Sequence, residues 1–92
     1  MAKLYVTEYA GHDAYSGQEP PITEQAFTFS SSTQSNAFAE RTMLVRIHTD
    51  AICSIAFGAD PTATTDSRRM VAGATEYFAV SRGLKVAAVA NT

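Results

Sequence analysis

Short segments in which apolar residues alternate with polar ones constrain the fold of this chain more than any other feature. In residues 3–9, KLYVTEY, Leu4 and Val6 occupy alternate positions, and residues 42–49, TMLVRIHT, repeat the pattern. Side chains of an extended strand alternate between two faces, so this period predicts strands with one buried face. Five further strands are predicted over residues 22–29, 36–39, 51–57, 75–80 and 84–90.

The segments between these strands predict turns and two long loops. Residues 10–21 and residues 58–69 combine glycine, proline and small polar side chains, which favour irregular structure. A chain of 92 residues makes one domain, here residues 1–92. We predict an all-β fold, a single antiparallel β-sandwich, with jelly-roll connections as one option and a small β-barrel as the alternative. The core is predicted to contain Met43, Val45, Ile47, Cys53, Ile55, Phe57, Phe78 and Val86.

The stretch RIHTDAICSIAFG, residues 46–58, places a histidine, an aspartate and the single cysteine within six positions. The strand period puts His48 on the outward face, whereas Cys53 shares the inward face with Ile55. A reactive thiolate needs an accessible, electropositive setting, so we expect Cys53 to be buried and inert. Asp50 is predicted to be the turn residue of an antiparallel hairpin between the two strands.

Catalytic and metal-binding patterns are absent from the sequence. His12, Asp13, His48 and Asp50 lack the deliberate spacing of a zinc site. No phosphate-binding glycine loop and no nucleophile elbow occurs. We therefore expect no catalytic residue, no metal, no cofactor and no enzymatic activity.

The composition argues against several classes of partner. The net charge is −2 and the few basic residues form no block, so nucleic-acid binding is not expected. No segment approaches the ~20 apolar residues of a membrane-spanning helix, and no signal peptide is apparent. Synthesis in a cytoplasm, with no membrane partner, is the expectation. Charged residues make up only 17% of the chain, which favours a surface partly covered by a protein partner.

Residues 41–90 carry a set of distinctive short motifs. They are an arginine-bearing strand (Arg46), Ala56-Phe57-Gly58, the PTAT run of residues 61–64, Ala72-Gly73, Thr75 to Phe78 with Val80, and an apolar last strand over residues 84–90. This part of the chain resembles a group of small virion structural proteins encoded next to the major capsid protein in tailed bacteriophages. The resemblance implies a head decoration, or cement, protein that binds the outer capsid surface and stabilises the head.

That resemblance leads to expectations about partners and contacts. We expect the major capsid protein as partner and a homo-oligomer, a dimer or a trimer, since closed symmetric assemblies dominate. Subunits are predicted to pair through an edge strand at residues 3–9, with Tyr5 and Tyr9 at the interface. The loops are predicted to contact the capsid or a neighbour through two groups: Glu19, Pro20 and Pro21, and Arg68 and Arg69.

Two alternative functions fit the same sequence. The first is a lectin-like carbohydrate-binding module on a virion, using residues 9–15 with His12 and Asp13 as polar readers of hydroxyl groups. Its discriminating substitution is Tyr15→Ala. The second is a tail or neck structural component, which shares the β-fold and differs in copy number.

Overall fold

A computed structural model describes residues 2–10 and 21–91, which form two packed antiparallel sheets. The first sheet has the strand order β2-β1-β4-β7 and the second has the order β3-β8-β5-β6. The described residues contain no helix, and neither sheet closes into a barrel, so the predicted all-β sandwich is confirmed. The strands are β1 (Lys3–Tyr9), β2 (Thr23–Thr28), β3 (Thr33–Gln34), β4 (Leu44–Thr49), β5 (Cys53–Gly58), β6 (Arg68–Met70), β7 (Thr75–Ala79) and β8 (Lys85–Ala90).

The strand order is that of a circularly permuted jelly roll. Only β1–β2 and β5–β6 are sequence neighbours that also pair, and every other connection passes from one sheet to the other. Strand β1 lies between β2 and β4, the place that the last strand takes in a jelly roll. The first strand of the chain therefore completes the centre of the first sheet.

The core lies between the inner faces of the sheets and follows the predicted alternation. Five predicted core residues are at most 2% exposed: Val45, Ile47, Cys53, Ile55 and Val86. The rings of Phe57 and Phe78 are only half-buried and pack against each other, with centroids 5.0 Å apart. The prediction was wrong for Met43, which lies just before β4 and is 63% exposed. Its N–H donates to the Tyr9 carbonyl on one side while its carbonyl accepts from the Val80 N–H on the other, so the regular alternation of the strand is interrupted at this residue.

The predicted hairpin between residues 42–49 and 51–57 was also wrong. Strand β4 belongs to the first sheet and β5 to the second, so the intervening residues form an arch from one sheet to the other. The Thr49 hydroxyl donates to the Ala51 carbonyl at 2.6 Å, and the Asp50 N–H donates to the Lys3 carbonyl at 3.0 Å. The alternating pattern specifies which face is buried but not which strand supplies the hydrogen bonds, and a short connection is compatible with either arrangement.

Three further predictions about strands need correction. Strand β1 is not an edge, because it pairs with β2 on one side and β4 on the other. Arg68 and Arg69 belong to edge strand β6 and not to the preceding loop. Residues 36–39 form no strand; the strand in this region is β3, and Phe38 continues alongside β8 through its N–H bond to the Leu84 carbonyl at 2.8 Å.

Candidate binding face

The outer face of the second sheet, here called the covered face, is overlaid by residues 59–67. Ser54 and Ala87 alternate with core residues and so point outward, yet both are fully buried. Within the overlying segment Pro61 and Ala63 are also buried. Small side chains on this face let the segment approach the sheet closely, so the loop buries surface within the chain.

Hydrogen bonds at both ends of this segment tie it to the sheet. The Gln34 side-chain amide donates to Asp60 Oδ1 at 2.8 Å and to the Pro61 carbonyl at 2.9 Å. The Asn91 amide donates to Ser54 Oγ at 2.8 Å and to the Thr65 carbonyl at 3.3 Å. Most of the loop predicted to contact a partner is therefore bound to its own domain.

The outer face of the first sheet, here called the open face, carries large polar and aromatic side chains. Strand register aligns Tyr5, His48 and Thr75 in one row across β1, β4 and β7, and Thr7, Arg46 and Tyr77 in the next. A shallow, open depression of about 590 Å³ lies over β1, β2 and β4. The outward side chains that line it are Tyr5, Thr7, Glu24, Ala26, Arg46, His48 and Asp50.

Contacts on both sides hold the His48 ring on this face. Its Nδ1 lies 2.8 Å from Thr75 Oγ1, and its Nε2 lies 3.8 Å from Asp50 Oδ1. The Tyr5 ring is tilted against the imidazole with centroids 6.0 Å apart, and Lys3 Nζ lies 5.9 Å from the centre of the Tyr5 ring. The result is an ordered surface with aromatic rings, cations and carboxylates, suited to stacking and hydrogen bonding.

Cys53 does not share this surface with His48. The thiol is fully buried on the inner face of β5, and Sγ lies 3.6 Å from Thr49 Oγ1. Burial raises the pKa of the Cys53 thiol above its usual value, and the hydrogen bond with Thr49 acts weakly in the opposite direction. The predicted burial of Cys53 is confirmed, and the thiol has the character of a core side chain.

The predicted contact residues on the strands do not converge on one place. Tyr5 is 38% exposed on the open face, whereas Tyr9 is 5% exposed. Arg69 is exposed on β6. Arg68 spans from β6 to β7, with Nη1 3.7 Å from Glu76 Oε1 and the guanidinium carbon 5.1 Å from the centre of the Phe78 ring. It thereby covers one side of the gap between the two sheets.

The predicted contacts in the first loop fall mostly outside the described residues. Glu19 and Pro20 lie there, as do His12, Asp13 and Tyr15. Pro21 is described and is half-buried. The loop contacts proposed from the sequence therefore stay predictions.

The structure shows a buried carboxylate near the end of β1 whose role was not predicted from the sequence. The alternating pattern indicated only that this side chain points inward. Glu8 is 1% exposed. Its Oε1 accepts from the Thr42 hydroxyl at 2.7 Å and from the Ala39 N–H at 2.8 Å, and its Oε2 accepts from the Gln25 amide at 3.3 Å. These donors fasten residues 39–42 to the first sheet, so Glu8 has a structural role.

Two searches for other kinds of site gave negative results for residues 2–10 and 21–91. No three side chains of histidine, cysteine, aspartate or glutamate come together in a way that could hold a metal ion in this part of the chain. The same residues include no helix that could cross a membrane.

Comparisons with known proteins identify no relative. No protein-family model, curated protein or solved structure matches the chain.

Proposed function

We propose that the protein is a head decoration, or cement, protein of a tailed bacteriophage, which binds the outer capsid surface through protein–protein contacts. The resemblance over residues 41–90 suggests this class, and one structural observation supports a binding role. The open face presents Tyr5, Arg46 and Tyr77, while the opposite face is covered by the chain itself. Aromatic residues and arginine are enriched in protein interfaces, so the open face is the surface we assign to the capsid.

The proposal places the protein on the capsid surface after synthesis in the host cytoplasm. Its partner is the major capsid protein, and it has neither a catalytic role nor a cofactor. Stabilisation follows from mass action: a protein that binds only assembled capsomers shifts the equilibrium toward the intact head. A tail or neck component would differ in copy number, which for a decoration protein is set by the number of capsomers.

Reconstitution of undecorated heads tests this function. Purified protein is added to heads that lack it, and the bound copies per capsid-protein subunit and the temperature of head disruption are measured. We expect saturation at a fixed stoichiometry and a raised disruption temperature. Arg46→Ala should lower occupancy, whereas Glu40→Ala, a control at an exposed ion pair with Arg82, should not. Absence of binding to heads, with binding to isolated tails, would assign the protein to the tail.

The depression on the open face also supports a second candidate, carbohydrate binding. Tyr5 offers a ring for stacking, and Glu24, Arg46 and Asp50 line the same depression with groups that can pair with hydroxyls. A glycan array with the wild-type protein, Tyr5→Ala and Tyr15→Ala distinguishes the sites. Loss of glycan binding only in Tyr5→Ala places a sugar in the depression; loss only in Tyr15→Ala favours the loop predicted from sequence. No glycan binding by the wild-type protein excludes both.

A further inference from the structure

The outward edge of β7 carries backbone groups that no described residue pairs. Strand β7 is the last in the order β2-β1-β4-β7. The Val80 N–H donates to the Met43 carbonyl, and the Thr49 N–H donates to the Ala74 carbonyl, so even-numbered residues of this strand bond to β4. Because the sides alternate, the N–H and C=O groups of Thr75, Tyr77 and Ala79 point away from the sheet. This edge therefore offers three donors and three acceptors.

Large exposed apolar side chains gather beside this edge. Of the four on the described surface, Tyr77 is 52% exposed in the middle of β7. Val71, 56% exposed, is linked to one end of the strand by the bond from the Ala74 N–H to its carbonyl. Met43, 63% exposed, lies near the other end, on the side of β4, because its carbonyl accepts from the Val80 N–H. An open strand edge with exposed apolar side chains at its middle and near its ends is a surface that soluble proteins normally cover.

We propose that two copies of this chain dimerise by antiparallel pairing of their β7 strands about Tyr77, joining the two first sheets into one. In this register Tyr77 of each copy opposes Tyr77 of the other, and Thr75 opposes Ala79. All six outward N–H groups of the two strands then meet carbonyls. The proposal does not depend on the capsid assignment, because it concerns the free protein.

The positions of charged and aromatic side chains favour the register centred on Tyr77 over alternative registers of the two β7 strands. Centring the pair on Glu76 instead would set the two Glu76 carboxylates directly opposite each other, which is unfavourable. Centring on Tyr77 sets Glu76 of one copy opposite Phe78 of the other, and the Arg68 guanidinium already lies over Phe78. Each arginine therefore gains a second carboxylate close by. The end that carries Val71 in one copy also approaches the end that carries Met43 in the other.

Sedimentation equilibrium of the wild-type protein across the micromolar range gives the first test. We expect a concentration-dependent monomer–dimer equilibrium. Tyr77→Pro removes an N–H that faces away from β4, so the sheet within each copy is kept while two of the intermolecular bonds are lost. This should weaken the dimer about thirtyfold. Circular dichroism of the variant checks that it stays folded.

Disulfide cross-linking tests the register and does not depend on the proline variant. The Tyr77→Cys thiols would lie across a hydrogen-bonded pair with Cα atoms about 5.5 Å apart, within disulfide range. The matched control Thr75→Cys places its thiols about 13 Å apart along the strands, which is too far. The native thiol, Cys53, is buried and does not interfere. A wild-type monomer at every concentration, or equal cross-linking of both variants, would overturn the proposal; a monomer would leave the edge to a strand of another protein.

Discussion

The two outer faces of the sandwich differ in the size of their side chains and in what lies over them. The covered face carries serine, alanine and glycine, and its own loop packs on it through Gln34 and Asn91. The open face carries tyrosine, arginine and histidine side chains, and Tyr5, Arg46 and His48 line the depression on it. Small side chains thus allow the chain's own loop to pack on one face, whereas large amphipathic side chains cover the face to which we assign the proposed partner.

The largest difference in stability between the two faces is expected when one alanine on each face is replaced by a larger residue. Ala87 on the covered face is fully buried, whereas Ala26 on the open face is exposed. We expect Ala87→Leu to lower the free energy of unfolding by about 1–3 kcal/mol, since the added methylenes have no space beneath the loop. Ala26→Leu should change it by less than about 0.5 kcal/mol. Urea denaturation of both variants measures the difference; equal effects would mean that the loop does not pack on its face.

Removing the side-chain amide of Asn91 should have a smaller effect. Asn91→Ala deletes the bonds to Ser54 and Thr65 and leaves the buried Ser54 hydroxyl without that donor. A loss of about 1 kcal/mol is expected. Amide hydrogen exchange should rise selectively in residues 59–67. Exchange that rises equally throughout the domain would contradict a local role for this contact.

Because the Cys53 thiol is buried between the sheets, we expect the free energy of unfolding to depend on pH. The change should be similar to or smaller than the effect of Asn91→Ala. Burial raises the pKa of Cys53 in the folded state, so the unfolded chain loses this proton at lower pH than the folded protein does. Stability should therefore be unaffected below the ordinary thiol pKa and fall as the pH rises above about 8.5, by up to about 1.4 kcal/mol per pH unit. Cys53→Ala should lack this slope while costing roughly 1–3 kcal/mol at neutral pH. Parallel curves for the two proteins above pH 8.5 would rule out a perturbed thiol.

Arg46→Ala should have the smallest effect on stability. The side chain lies on the open face and makes no ion pair within the described residues. The free energy of unfolding should change by less than about 0.5 kcal/mol. Head occupancy should nevertheless fall, which separates a binding role from a structural one. A variant that is clearly destabilised would instead make Arg46 part of the fold.

The alternation of apolar and polar residues correctly predicted which side chains point inward, but it did not predict which strands pair with each other. The inward positions of Ile47 and Cys53 and the outward position of His48 follow directly from alternation. The arch between β4 and β5 does not, because hairpin and arch place the same residues inward. Met43 extends the period by one residue beyond the strand, and only the backbone bonds show where β4 begins.

The candidate site could be predicted only in part for a related reason. Outward positions for Arg46 and His48 were apparent from the sequence, but their alignment with Tyr5 depends on the register between β1 and β4, which are separated by 34 residues along the chain. Arg68 and Arg69 looked like a loop pair because a three-residue strand carries too short a pattern to recognise. The bonds of Glu8 to residues 39–42 depend on the same long-range pairing.

The central place of β1 has a consequence for the order of events in folding. One partner of β1, strand β2, follows it closely along the chain, whereas the other partner, β4, is synthesised much later. One edge of β1 therefore stays unpaired until β4 has been made. Closure of so many distant pairs is slow, on a scale of milliseconds to seconds for all-β domains. During that delay the nascent chain exposes a strand that is paired on both sides in the native sheet.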